Sequence, residues 1–243
     1  MIRISSGARA TNAHASAFDN FPSMHAPEEA AASAALAGYL DQIRKYGFRR
    51  QFGRNEVIFN QGDPAGEVFK IVSGTVRLCR YMPDGRRYII DFLFPGDLMG
   101  LVEGADLSVS AEAVTEVALH CYPRVCCDRL VEESPAMRTQ LFSLISNDLA
   151  AAHQHLFVLG CQKAKERVAS FLLRLAERLD ICSGDLLGLT MGRQDIADHL
   201  GLTTETVCRM IACLRRERIV LVPNAHQLIL NDFDALRVLA AKN

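Results

Sequence analysis

At Pro135 the hydrophobic period of the chain changes, and that change limits the possible folds more than any other feature. From residue 48 to about 122, short runs rich in Val, Ile, Leu and Phe alternate with glycine-bearing turns. Phe69–Gly74, Val76–Tyr81 and Tyr88–Leu93 read as strands, punctuated by Gln61-Gly62-Asp63, Pro83-Asp84-Gly85 and Pro95-Gly96-Asp97. Asp84-Gly85 is the strongest hairpin signal, and the expected turn is type I′, with both central residues at positive φ. Many short strands at regular spacing make a small antiparallel sandwich or roll. Beyond Pro135, apolar residues recur every three or four positions. Leu141, Ile145, Leu149, Ala152, Leu156 and Leu159 form one stripe of a long helix ending near Gly160.

That stripe is narrow, with Asn147 and Gln154 beside it. A narrow stripe on a long helix between two domains reads as a coiled-coil seam, hence a homodimer. The competing explanation is a helix packed on its own roll. Residues 161–243 are helical again, with Val168–Leu179 amphipathic. Near their end, Ile219–Val222, Pro223–His226 and Gln227–Leu230 read as strand, turn and strand, a wing behind a helical unit.

Composition excludes several classes. Twenty-seven Lys and Arg against 28 Asp and Glu leave a formal net charge of −1, too little to coat nucleic acid or membrane by charge alone. The charge is uneven, however: residues 161–243 hold 12 basic and 10 acidic side chains, so the slight positive excess lies there. No apolar run approaches the roughly 18 residues of a membrane span, and we expect a soluble, cytoplasmic protein. The eight cysteines form no CxxC pair, so reduced thiols are expected rather than disulfides or a metal cluster. Residues 1–25, rich in Ala, Ser and Asn, read as a disordered tail, with a transit peptide as the alternative. An Ala-rich helix is expected from Glu28 to Leu40.

Residues 193–212 meet the packing demands of a helix-turn-helix. Ala197 is small where two helices cross, and Gly201, four residues later, can take the left-handed turn. Ile196, Leu200, Leu202, Val207, Met210 and Ile211 supply the apolar contacts, and Thr203 is a good N-cap for a second helix from about Thr204 to Arg215 or Arg216. On that helix Thr204, Glu205, Cys208 and Arg209 share a polar face near the N-terminus, the end that enters a major groove. Arg209 can bind the O6/N7 edge of guanine bidentately, and Glu205 can accept from the N4 amino group of cytosine. The plain alternative is an exposed i,i+4 ion pair. Arg193 and Thr203 complete the candidate DNA-binding set.

These motifs resemble those of the CRP/FNR family of bacterial transcription regulators, and within it the FixK branch. The resemblance spans about residues 45–240. It rests on Gln61-Gly62-Asp63, Ser73-Gly74-Thr75-Val76-Arg77, Phe94-Pro95-Gly96-Asp97, Lys165–Ala169, Arg193–Ala197 and, above all, Gly201–Arg209. It implies an α+β fold in three parts: an N-terminal antiparallel, jelly-roll-like β-roll sensor domain (26–134), a long dimerisation helix (135–160) and a C-terminal winged helix-turn-helix (161–243). It further implies that Glu205 and Arg209 read the shared G·C pair of each half of a TTGAT…ATCAA-like palindrome in double-stranded DNA, and that RNA polymerase is a partner. Two positions depart from the pattern. Cys208 stands where FNR-type members have Ser, and Gly192 replaces the usual Ser cap of the first helix, which costs only a few tenths of a kcal/mol.

No cofactor is expected. Leu101 and Leu107 stand where cyclic-AMP binders carry the Glu and the phosphate-binding Arg, and a buried phosphate without a cation is strongly unfavourable. Residues 1–78 contain no cysteine, so the N-terminal iron–sulfur ligands of FNR are missing. Cys121, Cys126, Cys127 and Cys161 make a poor substitute, since adjacent cysteines in a strand point to opposite faces. Haem would need His120, His153 or His155, of which the last two cannot share a helix face. An effector site in the roll, small-molecule or haem, stays open as the alternative reading. A cupin-like enzyme is set aside, because the strands offer only His120. Cys208, beside Arg209 and near a helix N-terminus, is the candidate redox site, and its oxidation would set bulk and negative charge against DNA. A small thiol that merely touches a thymine methyl fits the position equally well.

Overall fold

Strand register decides which faces of the roll are covered. The computed structural model describes residues 38, 40, 43–100 and 104–241. The expected tail, most of the Glu28–Leu40 helix and the Leu101 substitution lie outside the described residues. A 3₁₀ turn at Arg44–Tyr46 leads into eight strands: β1 (Phe48–Phe52), β2 (Val57–Phe59), β3 (Glu67–Ser73), β4 (Val76–Tyr81), β5 (Arg87–Leu93), β6 (Leu98–Met99), β7 (Ser110–Ala113) and β8 (Val117–Pro123). They form two antiparallel four-stranded sheets, ordered β1-β8-β3-β6 and β2-β7-β4-β5. Between the sheets lie Phe69, Ile71, Val76, Leu93, Ala111 and Leu119.

The outer faces are covered as well. Helices α1 (Arg124–Glu133) and α2 (Pro135–Cys161) close over Val68 and Tyr122 through Met137 and Leu144. Cys79, Ile89 and Phe92 of the second sheet instead join the core of the C-terminal domain. Strand β5 is therefore buried on both sides, which explains why it reads as an almost unbroken apolar run.

The C-terminal domain comprises α3 (Ala164–Arg178), β9 (Leu186–Gly188), α4 (Arg193–Leu200), α5 (Thr204–Arg216), β10 (Val220–Asn224), β11 (Gln227–Leu230) and α6 (Phe233–Ala240). The wing is three-stranded, ordered β10-β11-β9. Strand β9 is too short to show a period of its own. Pro223 falls within edge strand β10, where a missing N–H costs no ladder bond, so the wing turn narrows to Ala225-His226.

Two local expectations need correction. The β4–β5 hairpin is not a type I′ turn: only Gly85, at φ 83°, has positive φ, and its N–H donates to the Met82 carbonyl at 2.9 Å. Pro83 presets the second position of an ordinary turn, and the glycine supplies the left-handed residue that restores the strand twist. Cys126 and Cys127 lie on α1 rather than on a strand; Cys127 is buried, and all eight cysteines are unbridged.

Candidate nucleic-acid interface

The helix-turn-helix forms because each helix end finds a partner for its free backbone groups. Gly192, at the N-cap of α4, offers no side chain, and the Asp195 carboxylate reaches back to accept from its N–H at 3.3 Å. Gly201 ends α4 in the left-handed conformation, φ 61° and ψ 39°, and turns the chain within three residues. The Thr203 hydroxyl then caps α5 by accepting from the Thr206 N–H at 3.2 Å. Ile196, Ala197, Leu200, Val207 and Ile211 are buried between the helices, with Leu202 and Met210 packed at their edge.

Glu205, Cys208 and Arg209 are exposed together on the outer face of the N-terminal half of α5. Arg209 leans toward the Thr206 hydroxyl at 3.4 Å rather than toward Glu205, so its guanidinium edge stays open to solvent. The backbone N–H of Glu205 and the Thr203 hydroxyl hold the Glu205 carboxyl below the ordinary glutamate value, leaving it charged and able only to accept. Arg193 does different work. Its Nη2 donates to the Ala225 carbonyl at 3.1 Å, tying the wing to the first helix, while its Nη1 is buried without a hydrogen-bond partner. Burial pulls the Arg193 pKa down, and the neighbouring Cys208 works in the opposite direction. Arg215, Arg216 and Arg218 are exposed beyond the end of this face.

Thr204 donates to Gln194 Oε1 at 2.5 Å across the exposed surface between the two helices. Gln194 in turn donates to Asp198 Oδ1 at 2.6 Å. Asp198 is gripped from the roll: Arg87 on β5 reaches its Oδ2 through Nε at 2.9 Å and Nη2 at 2.7 Å. Arg87 and Arg77 both also pair with Asp195, and Arg77 is held by Glu112 at 2.6 Å. Burial works against the Arg87 charge, but Asp198 and Asp195 more than compensate and raise its pKa. Such buried pairs add little net stability; what they fix is geometry, here the orientation of α4 on the roll.

A second contact lies beside them. His199 of α4 stacks on His155 of α2 with ring centroids 4.3 Å apart, and its Nδ1 donates to the Ile89 carbonyl at 3.1 Å. Tyr88 Oη meets His155 Nε2 at 3.0 Å. Burial pushes the His199 pKa down to about 4. Nearby, burial raises the Asp91 carboxyl, but Arg174 and Arg178 outweigh it and bring it below the usual range. Arg77 and Asp195 fall within motifs of the sequence, but Arg87, Asp198 and His199 do not stand out there. None of their pairings is legible, because contacts between residues so far apart leave no local period.

The stripe on α2 divides in two. Ile145, Leu149 and Leu156 are 37%, 55% and 65% exposed, Ala152 is exposed beside them, and Phe142, absent from the sequence stripe, is 72% exposed one turn earlier. Leu141 turns inward to the cluster of Met137 and Leu144, and Leu159 is half-buried near Gly201. In the roll, a cavity of about 320 Å³ is lined by Arg50, Phe59, Asp63, Glu67 and Leu107, with Arg50 and Glu67 ion-paired at 3.0 Å. Among the described residues no cluster of His, Cys, Asp and Glu could hold a metal ion, and no helix is long and apolar enough to cross a membrane.

Comparison with known proteins agrees with this architecture. A cyclic nucleotide-binding domain model matches residues 49–134, and a Crp-like helix-turn-helix domain model matches residues 166–239. The nitrogen fixation regulation protein FixK of Azorhizobium caulinodans is 40% identical over 189 residues, 76% of each chain. The transcriptional activatory protein AadR of Rhodopseudomonas palustris is 36% identical over 83% of this chain and 88% of its own. The structure of FixK2 from Bradyrhizobium japonicum superposes with a TM-score of 0.77 at 31% identity, covering 81% of this chain and 98% of that one. The chain belongs to the CRP/FNR family of transcription regulators, in its FixK-like branch.

Proposed function

We propose that the protein is a sequence-specific, DNA-binding transcription activator of the cytoplasm. It acts as a homodimer on a TTGAT…ATCAA-like palindrome and engages RNA polymerase there. The observation that carries this reading is the exposed face of α5, where Glu205 and Arg209 stand open at the N-terminal half of a helix whose far side is fully packed. Arg209 takes the guanine edge, Glu205 the amino group of the paired cytosine, and Thr203 a phosphate beside them. Arg193, with one guanidinium nitrogen buried and the other on the Ala225 carbonyl, holds the wing against α4. The exposed α2 stripe supplies the dimer seam, which matches the twofold symmetry of a palindrome. Two relatives, named as a nitrogen fixation regulator and a transcriptional activator, support the activator role.

No cyclic nucleotide takes part in this reading. Leu107 is buried in the roll, and the cavity beside it presents Asp63 and Glu67 against a single Arg50, a poor host for a phosphate. Oxidation of exposed Cys208 weakens DNA binding by adding bulk and charge next to Arg209. The same cavity favours a second reading, a regulator gated by a small neutral or cationic effector. Purified protein that binds its palindrome with no addition argues against that gating.

The decisive test is Arg209→Ala on a labelled duplex. It should cost about 1–3 kcal/mol of binding and relax discrimination at the guanine. Unchanged affinity and unchanged specificity would mean that α5 does not read DNA.

A further inference from the structure

The hydrogen bonds behind Thr204 run in one direction only. A carboxylate only accepts, so Asp198 obliges the Gln194 amide to present its NH₂ group, as the 2.6 Å contact requires. The carbonyl oxygen of that amide therefore faces Thr204 Oγ1 at 2.5 Å, and a carbonyl also only accepts. The Thr204 proton is thus committed to the exposed Gln194 amide at the surface between the two helices, and only lone pairs remain for a base. Arg87 holds the start of this chain, fastening Asp198 with two donors from the roll. A threonine hydroxyl ordinarily donates or accepts and so distinguishes bases poorly; here its polarity is set.

We infer that Thr204 is a specificity-determining residue that reads DNA as an acceptor only. It selects a base with an exocyclic amino group in the major groove, adenine or cytosine, and disfavours guanine O6/N7 and thymine O4, which would oppose lone pair to lone pair. Asp198 and Arg87 are the positioning residues, and Arg87 places that selection under the control of the roll. The inference rests on the proposed base-reading role of α5.

The test uses full-length protein and palindromic duplexes in which each adenine or cytosine of a half-site is replaced, one at a time, by an analogue lacking the exocyclic amino group. With the parent protein, one position should lose about 5- to 10-fold in affinity on losing its amino group, the effect of one hydrogen bond. Thr204→Ser should keep that dependence and Thr204→Val should abolish it. Asp198→Asn should relax it as well, because an amide at 198 can donate to Gln194, which then turns its NH₂ group toward Thr204 and frees the hydroxyl proton. Discrimination at the guanine read by Arg209 should persist in all three variants. A purely structural role for Asp198 would weaken every duplex evenly, and that outcome overturns the inference. So does the absence of any amino-group dependence that vanishes in Thr204→Val. Arg209→Ala run alongside separates the two ideas: if it leaves guanine discrimination intact, the base-reading role fails, and if it removes it while no Thr204-dependent position exists, only the present inference fails.

Discussion

The guanidinium of Arg167 donates to the carbonyl of Leu200 at 3.0 Å, joining the start of α3 to the last turn of α4. The same side chain also serves the carbonyls of Leu159 and Gln162, at 2.8 and 2.9 Å. One planar fork thereby satisfies carbonyls from the end of the long helix, from the link that follows it and from the helix-turn-helix. Arg167→Ala strands these groups and should destabilise the protein by about 2–3 kcal/mol in urea unfolding. Arg167→Lys should recover only part of that, because an ammonium cannot span all three. A loss below about 0.5 kcal/mol for Arg167→Ala, the range of an ordinary surface change, would show that the clamp contributes little.

The exposed apolar stripe of α2 bears on assembly. Leu149 is 55% exposed on the outer side of the helix. Leu149→Glu places charge at the centre of the proposed seam, where burial without a counter-ion is prohibitive. Sedimentation should show the parent as a dimer and the variant as a monomer of unchanged helix content. A variant that stays dimeric would move the seam away from this face.

Oxidation offers a third test. Hydrogen peroxide converts the Cys208 thiol to a sulfenic acid with release of water, and further peroxide takes it to the anionic sulfinic acid. The parent should lose DNA affinity progressively with peroxide, while Cys208→Ala should retain it at the same dose in a gel-shift titration. Equal loss in both would assign the sensitivity to another thiol, of which Cys161 and Cys182 are also exposed.

The histidine stack sets a pH dependence. His199 titrates near 4 in the folded protein against 6.5 unperturbed, because burial disfavours its charge. His155 stacks on it, Asp91 and Arg174 act on it from β5 and α3, and Tyr88 sits beyond His155. Between those two values the unfolded chain binds the extra proton, so stability falls as pH drops below about 6.5 and this loss is complete beneath about 4. The full contribution is about 3 kcal/mol. Denaturant midpoints from pH 7 to pH 4 should fall less steeply for His199→Gln than for the parent. Parallel profiles would place the acid sensitivity in His155, whose pKa burial also lowers, or in the carboxylates.

Much of this was legible in local residues. The change of period at Pro135, the left-handed Gly201, the Thr203 cap and the open pair Glu205 and Arg209 each depend on neighbours within a few positions. Short-range geometry and hydrophobic period therefore sufficed to locate them. The wing was legible only in part, because β9 is three residues long and takes its place from pairing with β11. Asp84-Gly85 marks the hairpin in the sequence, but Pro83, one residue earlier, sets its turn and leaves only Gly85 at positive φ.

From its sequence alone, this chain determined where the roll ends, where the long helix runs and which side chains face outward on α5. Only the tertiary structure decided how the helix-turn-helix is held. Arg87 must cross from β5 to meet Asp198, and His155 must meet His199 across an interface. Such contacts join residues far apart in the chain, and their ionic members orient more than they stabilise, so no pattern along the backbone records them. The polarity of the Thr204 hydroxyl belongs to the same class, because three other side chains, one of them from the roll, direct its proton.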